Sequence, residues 1–206
     1  MSGPVSAAYD ALLAGGELKP DPAQAAAADA LDRLAEPEGG LLSRLLRRDD
    51  DGPAGVYLWG GVGRGKSMLM DLFYETATGF KKRRTHFHVF MGEVHRLIDA
   101  WRKGDPAARK ARFGQHKGDD PIPPVADVVA QEARLLAFDE FQVTNIADAM
   151  ILARLFETLF DEGITVIATS NHTPDDLYKD GLQRDRVRFR IELRVPDRQS
   201  DLRVPP

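Results

Sequence analysis

The sequence predicts a three-layer α/β domain in which helices cover both faces of a parallel sheet. Segments 56–59, 85–89, 135–138 and 164–168 have the length and residue types of strands. Stretches in which apolar residues recur at helical spacing separate these segments. Because strands that alternate with helices pair in parallel through right-handed crossovers, the order of elements favours an α/β fold.

The predicted helices follow from local signals. Asp21 and Pro22 are the residue types that open a helix, and an alanine- and leucine-rich run follows them to residue 35. Gly163 ends a later stretch of apolar residues at helical spacing. The remaining helices are predicted over 67–74, 92–101 and 146–162.

Two segments are predicted to lie outside this pattern. The glycines and prolines of 103–124 predict mostly loop. The tail alternates apolar and charged residues over 187–195, which predicts a fifth strand with one buried face. Residues 196–206 hold three prolines and few apolar residues, so we expect them to be disordered.

Composition excludes several classes of protein. Hydrophobic residues make up 43% and charged residues 29% of the 206 residues, as in ordinary globular proteins. The chain has no cysteine, which excludes disulfides, thiolate zinc sites and cysteine nucleophiles. It contains no apolar run of about 20 residues and no leader-like N-terminus. A cytoplasmic protein without an integral membrane segment is therefore expected.

A glycine-rich loop follows the first predicted strand and leads directly into a helix. It satisfies the pattern G-x-x-x-x-G-K-[S/T], in which backbone N–H groups converge on phosphates at a helix N-terminus. Lys66 would place its charge beside the β- and γ-phosphates of ATP, and the Ser67 hydroxyl would bind Mg²⁺. The predicted nucleotide-binding residues of this P-loop are Gly60, Gly61, Val62, Gly63, Arg64, Gly65, Lys66 and Ser67.

An acidic pair, Asp139-Glu140, comes directly after the third predicted strand. In P-loop enzymes the aspartate holds Mg²⁺ through its water shell, and the glutamate orients and deprotonates the attacking water. An acidic pair after a strand is common by itself. One that lies a strand and a helix beyond a P-loop is predicted to be the Walker B pair.

Asn171 ends the strand that follows the acidic pair. Its amide could contact the γ-phosphate or the lytic water, although segment 170–174 also suits a turn or a helix cap. The order of P-loop, acidic pair and asparagine favours a sensor role.

Arg184 and Arg186 are candidates for an arginine finger. A guanidinium contributed by a neighbouring subunit would suit the charge that spreads over the γ-phosphate in the transition state. Most surface arginines are only solvated, so the sequence leaves both the role and the choice between the two open.

Segment 81–118 is basic, with eleven Lys and Arg residues and three acidic ones. It could contact nucleic acid, an acidic partner or anionic lipid, but a solvated face is the favoured interpretation. His86 and His88 are predicted to share one face of a strand. Ordinary packing is favoured there over a metal site, because no acidic ligand set accompanies them.

The motifs and their surroundings resemble the ZapE / Afg-one-like ATPase family of AAA+ proteins over about residues 9–186. Tyr9 and the helix that carries Asp21 and Gln24 fit the family as well. Three positions depart from it, namely Ala137, Asn145 and His172, where cysteine, aspartate and arginine are usual. The main matching segments read GVYLWGGVGRGKSM, RTHFHVFM, FDEFQVT and ATSN.

The resemblance implies an AAA+ P-loop ATPase core at 53–186, preceded by an N-terminal helical extension at 1–52. A short divergent tail follows at 187–206. The family continues beyond the matched part with a helical lid that has no counterpart here. Weak ATP affinity and slow basal turnover are therefore expected.

The resemblance also implies a Mg²⁺-dependent ATP hydrolase that acts on other proteins and self-associates into a ring or hexamer. Bacterial members associate with the cell-division ring and its tubulin-like protein, and this bacterial, cytoplasmic role is the favoured one. Two alternatives stay open. The chain could be a nucleotide-binding adaptor that has lost turnover together with its lid, or a DNA-associated AAA+ loader, although nucleic acid is the less favoured partner.

Overall fold

A five-stranded parallel sheet forms the centre of the molecule, with strand order β2-β3-β4-β1-β5. The computed structural model describes residues 3–35, 55–79, 81–143, 145–173 and 191–194. The strands are β1 (Gly55–Trp59), β2 (Lys82–His86), β3 (Leu135–Asp139), β4 (Thr165–Ser170) and β5 (Ile191–Arg194). Within the described residues the helices are α1 (Pro4–Ala14), α2 (Pro22–Ala35), α3 (Lys66–Thr76), α4 (Phe87–Lys103), α5 (Pro106–Phe113), α6 (Ile122–Glu132) and α7 (Ile146–Asp161).

Helices cover both faces of the sheet, as the sequence predicted. Alternate side chains of each strand point to opposite faces, so Leu135 and Ala137 of β3 join one apolar cluster while Leu136 and Phe138 join the other. The first cluster packs against α1, α2 and α3, and the second packs against α4 to α7. Both clusters are essentially inaccessible to solvent. The predicted three-layer α/β fold is confirmed.

The parallel register brings the carboxyl ends of the inner strands to one edge of the sheet. β1 pairs with β4, where Trp59 lies opposite Ser170. β3 pairs with the other side of β4, where Phe138 lies opposite Ala168. The residues that follow β1, β3 and β4 therefore emerge side by side, at the place where open α/β sheets bind ligands.

The N-terminal helices form a hairpin that packs against α3. The Asp32 carboxylate of α2 accepts hydrogen bonds from the backbone N–H groups of Val5, at 2.6 Å, and Ser6, at 3.0 Å, at the start of α1. At the start of α2 the Asp21 side chain accepts from the N–H of Ala23 at 3.0 Å, which is the predicted N-cap. The hairpin is thus fixed to itself by buried charge-assisted bonds.

The second strand lies three residues earlier than predicted. β2 runs over Lys82–His86, and the chain enters α4 at Phe87, so His86 and His88 do not share a strand face. The apolar residues of 87–98 have helical spacing and bury one face of α4, which decides the boundary. β2 is an edge strand of the sheet, and its basic residues find acidic or carbonyl partners that no local pattern reveals.

The predicted loop at 103–124 is in part helical. Asp105 caps α5 by accepting from the N–H of Ala108 at 2.8 Å, and a proline occupies the first helical position. α6 begins at Ile122, with two prolines in its first turn. Prolines in a first turn remove only N–H groups that have no partner within the helix, so they are compatible with both helices.

The tail contains a strand where the alternating pattern predicted one. β5 pairs in parallel with β1 over residues 191–194, and the rest of 187–206 lies outside the described residues. The proposed domain boundaries at 52 and 186 remain predictions. Within the described part of the chain, no helix has both the length and the apolar character needed to cross a membrane.

Candidate active site

The P-loop connects the end of β1 to the first turn of α3. Gly63 and Gly65 have φ angles of 75° and 84°, in the left-handed region that other residues rarely adopt. Gly65 is the N-cap of α3, so the backbone N–H groups of the first helical turn face the loop. Val62 at the loop tip is 83% exposed. The local sequence therefore produces the geometry of an anion cradle.

Lys66 joins two of the predicted site motifs. Its buried ammonium donates to the carbonyl oxygens of Gly60, at 3.0 Å, and Gly61, at 2.7 Å. The same nitrogen donates to the side-chain Oδ1 of Asn171 at 3.0 Å. These residues are 105 positions apart in sequence and meet because β1 and β4 are neighbours in the sheet. The structure thus places the predicted sensor residue in direct contact with the P-loop lysine.

Asp139 is the last residue of β3, and it forms a two-point ion pair with Arg84 of β2. The Arg84 Nε lies 2.8 Å from Oδ2 and the Nη2 lies 3.1 Å from Oδ1. Arg84 also donates to Asp71 of α3 through Nη1. The hydrogen bonds with Asp139 raise the pKa of Arg84 above its ordinary value. The predicted Mg²⁺ ligand is therefore held in a fixed orientation.

Glu140 occupies a strained backbone position. Its φ of 54° lies in the left-handed region, alone among the described residues other than glycine. Its N–H donates weakly to the hydroxyl of Thr169 at 3.4 Å, and its side chain is exposed. Such strain persists only where surrounding contacts impose it, and it concentrates at functional sites. The turn directs the predicted catalytic carboxylate away from the core.

Two residues that the sequence reasoning did not assign to the site fix this turn. Thr169 accepts the N–H of Phe141 at its backbone carbonyl, at 2.7 Å, and Ser170 donates its hydroxyl to the carbonyl of Phe141, also at 2.7 Å. The Phe141 ring is buried, with its centroid 4.2 Å from that of Phe87. The ends of β3 and β4 are thus locked together. The sequence feature that could have indicated their role is the pair of hydroxyl residues directly before Asn171.

The N-terminal hairpin also contributes to the site. The buried Gln24 side chain donates from Nε2 to the backbone carbonyl of Arg64 at 3.0 Å. Its Oε1 accepts from the hydroxyl of Tyr9 at 3.4 Å. Gly65 must lack a side chain here, because an added Cβ would lie 2.8 Å from the Gln24 amide nitrogen. The family resemblance included Gln24, but nothing in the local sequence indicated this contact.

A cavity of about 320 Å³ lies between the hairpin and the P-loop. Polar groups of Asp21 and Gln24 and the apolar side chains of Leu18 and Met68 line it. The cavity is adjacent to the phosphate cradle and has room for a small planar group.

The oxygen donors at this edge suit Mg²⁺. Ser67 is exposed in the first turn of α3, and Asp139 ends β3, so the site offers a hydroxyl and a carboxylate. Hard divalent cations prefer such oxygen ligands and are completed by water and phosphate oxygens in nucleotide sites. In the part of the chain that the structure describes, no cluster of three or more metal-ligating side chains exists that could hold an ion by itself.

The remaining predicted residues are only partly accounted for. Arg184 and Arg186 lie outside the described residues, so the arginine finger stays a prediction. In the basic segment, Arg83 pairs with Glu132 at 2.6 Å and with Glu93, and Arg109 pairs with an aspartate at 3.1 Å. Part of the excess charge of 81–118 is therefore neutralised within the molecule.

Two relatives match about two thirds of the chain. Lactation elevated protein 1 homolog B of Danio rerio is 53% identical over 132 residues, which make up 64% of this chain and 26% of that protein. Cell division protein ZapE of Escherichia coli K12 is 48% identical over 132 residues, with 64% of this chain and 32% of that protein covered. The chain thus matches about a quarter to a third of the length of these relatives.

Solved structures show the same fold at low sequence identity. Domain III of the replication initiation protein DnaA from Thermotoga maritima has a TM-score of 0.57 at 16% identity, covering 87% of this chain and 66% of that one. AMPPCP-bound DnaA from Aquifex aeolicus has a TM-score of 0.54 at 16% identity, covering 86% and 48%. These similarities show that the chain shares the α/β fold of those domains. The sequence profile of the AFG1-like ATPases matches residues 4–195, and the chain therefore belongs to the AFG1-like ATPase family.

Proposed function

We propose that this chain binds ATP together with Mg²⁺ at the carboxyl edge of its sheet and hydrolyses it. The observation that carries the proposal is the contact between the ammonium of Lys66 and the amide of Asn171 at 3.0 Å. Two motifs that are far apart in sequence, both suited to a γ-phosphate, converge there. The AFG1-like ATPase family and the AMPPCP that accompanies a DnaA of the same fold support a nucleotide ligand.

Each side chain has a role that its position suits. The N–H groups of the loop and Lys66 would bind the phosphates, and Lys66 would exchange its loop carbonyls for phosphate oxygens. Ser67 and Asp139 would hold Mg²⁺, which neutralises charge on the phosphates when bound. The exposed carboxylate of Glu140 would accept the proton of the attacking water, and Asn171 would orient that water or the γ-phosphate.

The base of the nucleotide would occupy the cavity beside the P-loop. Leu18 and Met68 would provide apolar surface against the base, and the polar side chains of Lys19 and Asp21 also line the cavity. Weak affinity for ATP and slow basal turnover remain expected.

The biological role we propose is the transduction of ATP hydrolysis to protein partners during bacterial cell division. The similarity to the Escherichia coli cell division protein ZapE supports it, and it would place the chain in the cytoplasm. We further propose that copies of the chain associate into a ring, with Arg184 or Arg186 contributed to the neighbouring site. A tubulin-like division protein is the candidate client.

Two variants test nucleotide binding and hydrolysis separately. Lys66→Ala should abolish nucleotide binding, because the β- and γ-phosphates lose their counter-ion. Glu140→Gln should keep binding and lower turnover by roughly 10²–10⁴, since only the base is lost. At 100 times Kd, ATP with Mg²⁺ should stabilise the wild type by about 2.7 kcal/mol in a thermal scan.

Equal nucleotide-induced shifts in melting temperature for wild type and Lys66→Ala would show that nucleotide does not bind at this loop. Tight binding with no turnover in the wild type would instead favour the adaptor alternative. Titration with single-stranded DNA at several salt concentrations tests the loader alternative. DNA affinity that falls steeply with salt would support it, because phosphate contacts have that dependence.

A further inference from the structure

Arg84 occupies a position that neither the P-loop nor the Walker B pattern includes. Its guanidinium binds both oxygens of Asp139, with N–O distances of 2.8 and 3.1 Å, and its remaining nitrogen donates to Asp71. Asp71 lies four residues after Ser67 in α3, so the two share one face of that helix. Arg84 therefore connects the two elements that supply the predicted Mg²⁺ ligands.

The ion pair between Arg84 and Asp139 is partly shielded from solvent, which strengthens it. The side chains of Arg84 and Asp139 expose 28% and 17% of their surface. Charge-assisted fork geometry of this kind is among the stronger hydrogen-bonding arrangements in proteins, and an arginine stays charged at every working pH. Arg84 consequently offsets part of the negative charge that Asp139 would present to a divalent cation that arrives alone.

The neighbouring Arg83 provides a natural comparison. It belongs to the same strand, but alternation places it on the opposite face, where it pairs with Glu93 and Glu132. Both arginines thus bind two carboxylates, and only the Arg84 pair includes a predicted Mg²⁺ ligand. A role that depends on the metal position should belong to Arg84 alone.

We propose that Arg84 competes with divalent cations for Asp139 and so makes metal binding at this site depend on nucleotide. A free cation would have to displace or share a guanidinium that Asp71 also holds. A cation that arrives with a nucleotide brings phosphate charge, which offsets the repulsion from Arg84. This inference rests on the proposed nucleotide site and assigns Arg84 as a positioning residue within it.

Binding of Mn²⁺ to the nucleotide-free 206-residue protein tests the proposal without any measurement of turnover. The free ion is counted by electron paramagnetic resonance. An adjacent charge alters the proton affinity of a carboxylate by about ten- to a thousandfold, and a divalent cation should respond at least as strongly. Arg84→Gln should therefore bind Mn²⁺ tenfold or more tightly than wild type.

Two controls locate the effect. Arg84→Gln combined with Asp139→Asn should lose the gain, and Arg83→Gln should behave as wild type. An unchanged or weaker Mn²⁺ affinity in Arg84→Gln would overturn the proposal, as would a gain that survives loss of the Asp139 charge. Circular dichroism confirms that each variant is folded.

The wild type alone gives a second test, should Arg84→Gln not fold. Mn²⁺ should bind weakly to nucleotide-free protein and tightly when AMPPCP is present. Equal Mn²⁺ affinity in both conditions, at a site that Asp139→Asn removes, would overturn the proposal. Failure of AMPPCP to bind at all would count instead against the proposed function, which the Lys66→Ala comparison reports independently.

Discussion

At the scale of single residues, the site depends on backbone positions that a side chain would ordinarily avoid. Gly63 and Gly65 take the left-handed conformation at no steric cost, whereas Glu140 takes it with a full side chain. The hydrogen bonds of Thr169 and Ser170 to the adjoining backbone impose that conformation. A strained glutamate at the end of a strand is consistent with a residue retained for chemistry rather than stability.

The strain at Glu140 can be measured by a pair of substitutions. Glu140→Gly should be more stable than Glu140→Ala by about 1 kcal/mol, because glycine adopts a φ of 54° freely and alanine does not. Both variants lack the carboxylate, so the comparison isolates the backbone. Urea unfolding provides the two free energies. Equal stabilities would mean that the backbone relaxes when the glutamate side chain is removed.

At the scale of elements, the N-terminal hairpin directly contacts the P-loop of the proposed nucleotide site. Gln24 anchors the P-loop through the carbonyl of Arg64, and Tyr9 of α1 holds the Gln24 amide in place. The hairpin also supplies one wall of the cavity beside the loop. Substitutions in α1 or α2 should therefore alter how the P-loop binds phosphates.

Gln24→Ala should lower both stability and nucleotide affinity. Loss of a buried hydrogen-bond partner costs about 1–3 kcal/mol, and the freed loop must be ordered again when nucleotide binds. Tyr9→Phe is the matched control, because it removes the outer hydroxyl and keeps the packing of the ring. Its effect on affinity should be smaller. If Gln24→Ala unfolds earlier but binds nucleotide as wild type does, the hairpin supports only the fold.

Far from the site, Glu162 at the end of α7 faces Asp127 of α6. Burial and a hydrogen bond with Asp127 raise the pKa of Glu162 above its ordinary value of 4.5, although Arg134 opposes the shift. His116 Nε2 lies 3.2 Å from Oδ2 of Asp127. Because the folded pKa lies above the unfolded one, the stability that protonated Glu162 contributes is present below about pH 4.5 and lost as the pH rises through the folded pKa.

Glu162→Gln should consequently stabilise the protein at pH 7, by less than about 1 kcal/mol because the carboxylate is only partly buried and solvent screens its charge. The amide keeps the hydrogen bond and carries no charge. The gain should shrink as the pH falls toward 4. Glu157→Gln, on the exposed face of the same helix, is the control. A gain that is independent of pH would point to helix propensity instead of the carboxylate pair.

At the scale of the whole molecule, the sheet order places β1 between β4 and β5, so the P-loop leaves from the interior of the sheet. β5, which belongs to the tail, pairs with the side of β1 that faces away from β4. A protein assembled into a ring would bring an arginine from one copy to the γ-phosphate bound by the next. Arg184 and Arg186 are the candidates, and both lie outside the described residues.

Mixing two inactive variants tests the shared site. Arg184→Ala should bind nucleotide as wild type does and lose hydrolysis by about 10³ or more if it is a finger. Lys66→Ala should not bind nucleotide but still carries Arg184. Mixed assemblies should regain part of the turnover only if the arginine acts in trans. No recovery at any ratio, with co-assembly verified by light scattering, would assign Arg184 a cis or structural role. Arg186→Ala serves as the parallel case.

The sequence by itself determined the features that local chemistry specifies. The glycine pattern of the P-loop, the apolar run before Asp139 and the helical spacing after Asn145 each require one conformation, and the structure has it. The alternating tail likewise predicted the strand now seen at 191–194. Recognition of the family followed because these motifs occur in a fixed order.

Only the tertiary structure decided the features that depend on partners distant in the chain. Basic residues of β2 form a strand because Asp139, Glu93 and Glu132 neutralise them across the fold. Prolines begin α5 and α6, where α5 buries Phe113 and α6 buries an apolar face in the core. The contacts of Gln24 with the P-loop and of Arg84 with Asp139 span 40 and 55 residues. Local propensity carries no information at such separations, so these contacts follow only from the packing of the sheet and its helices.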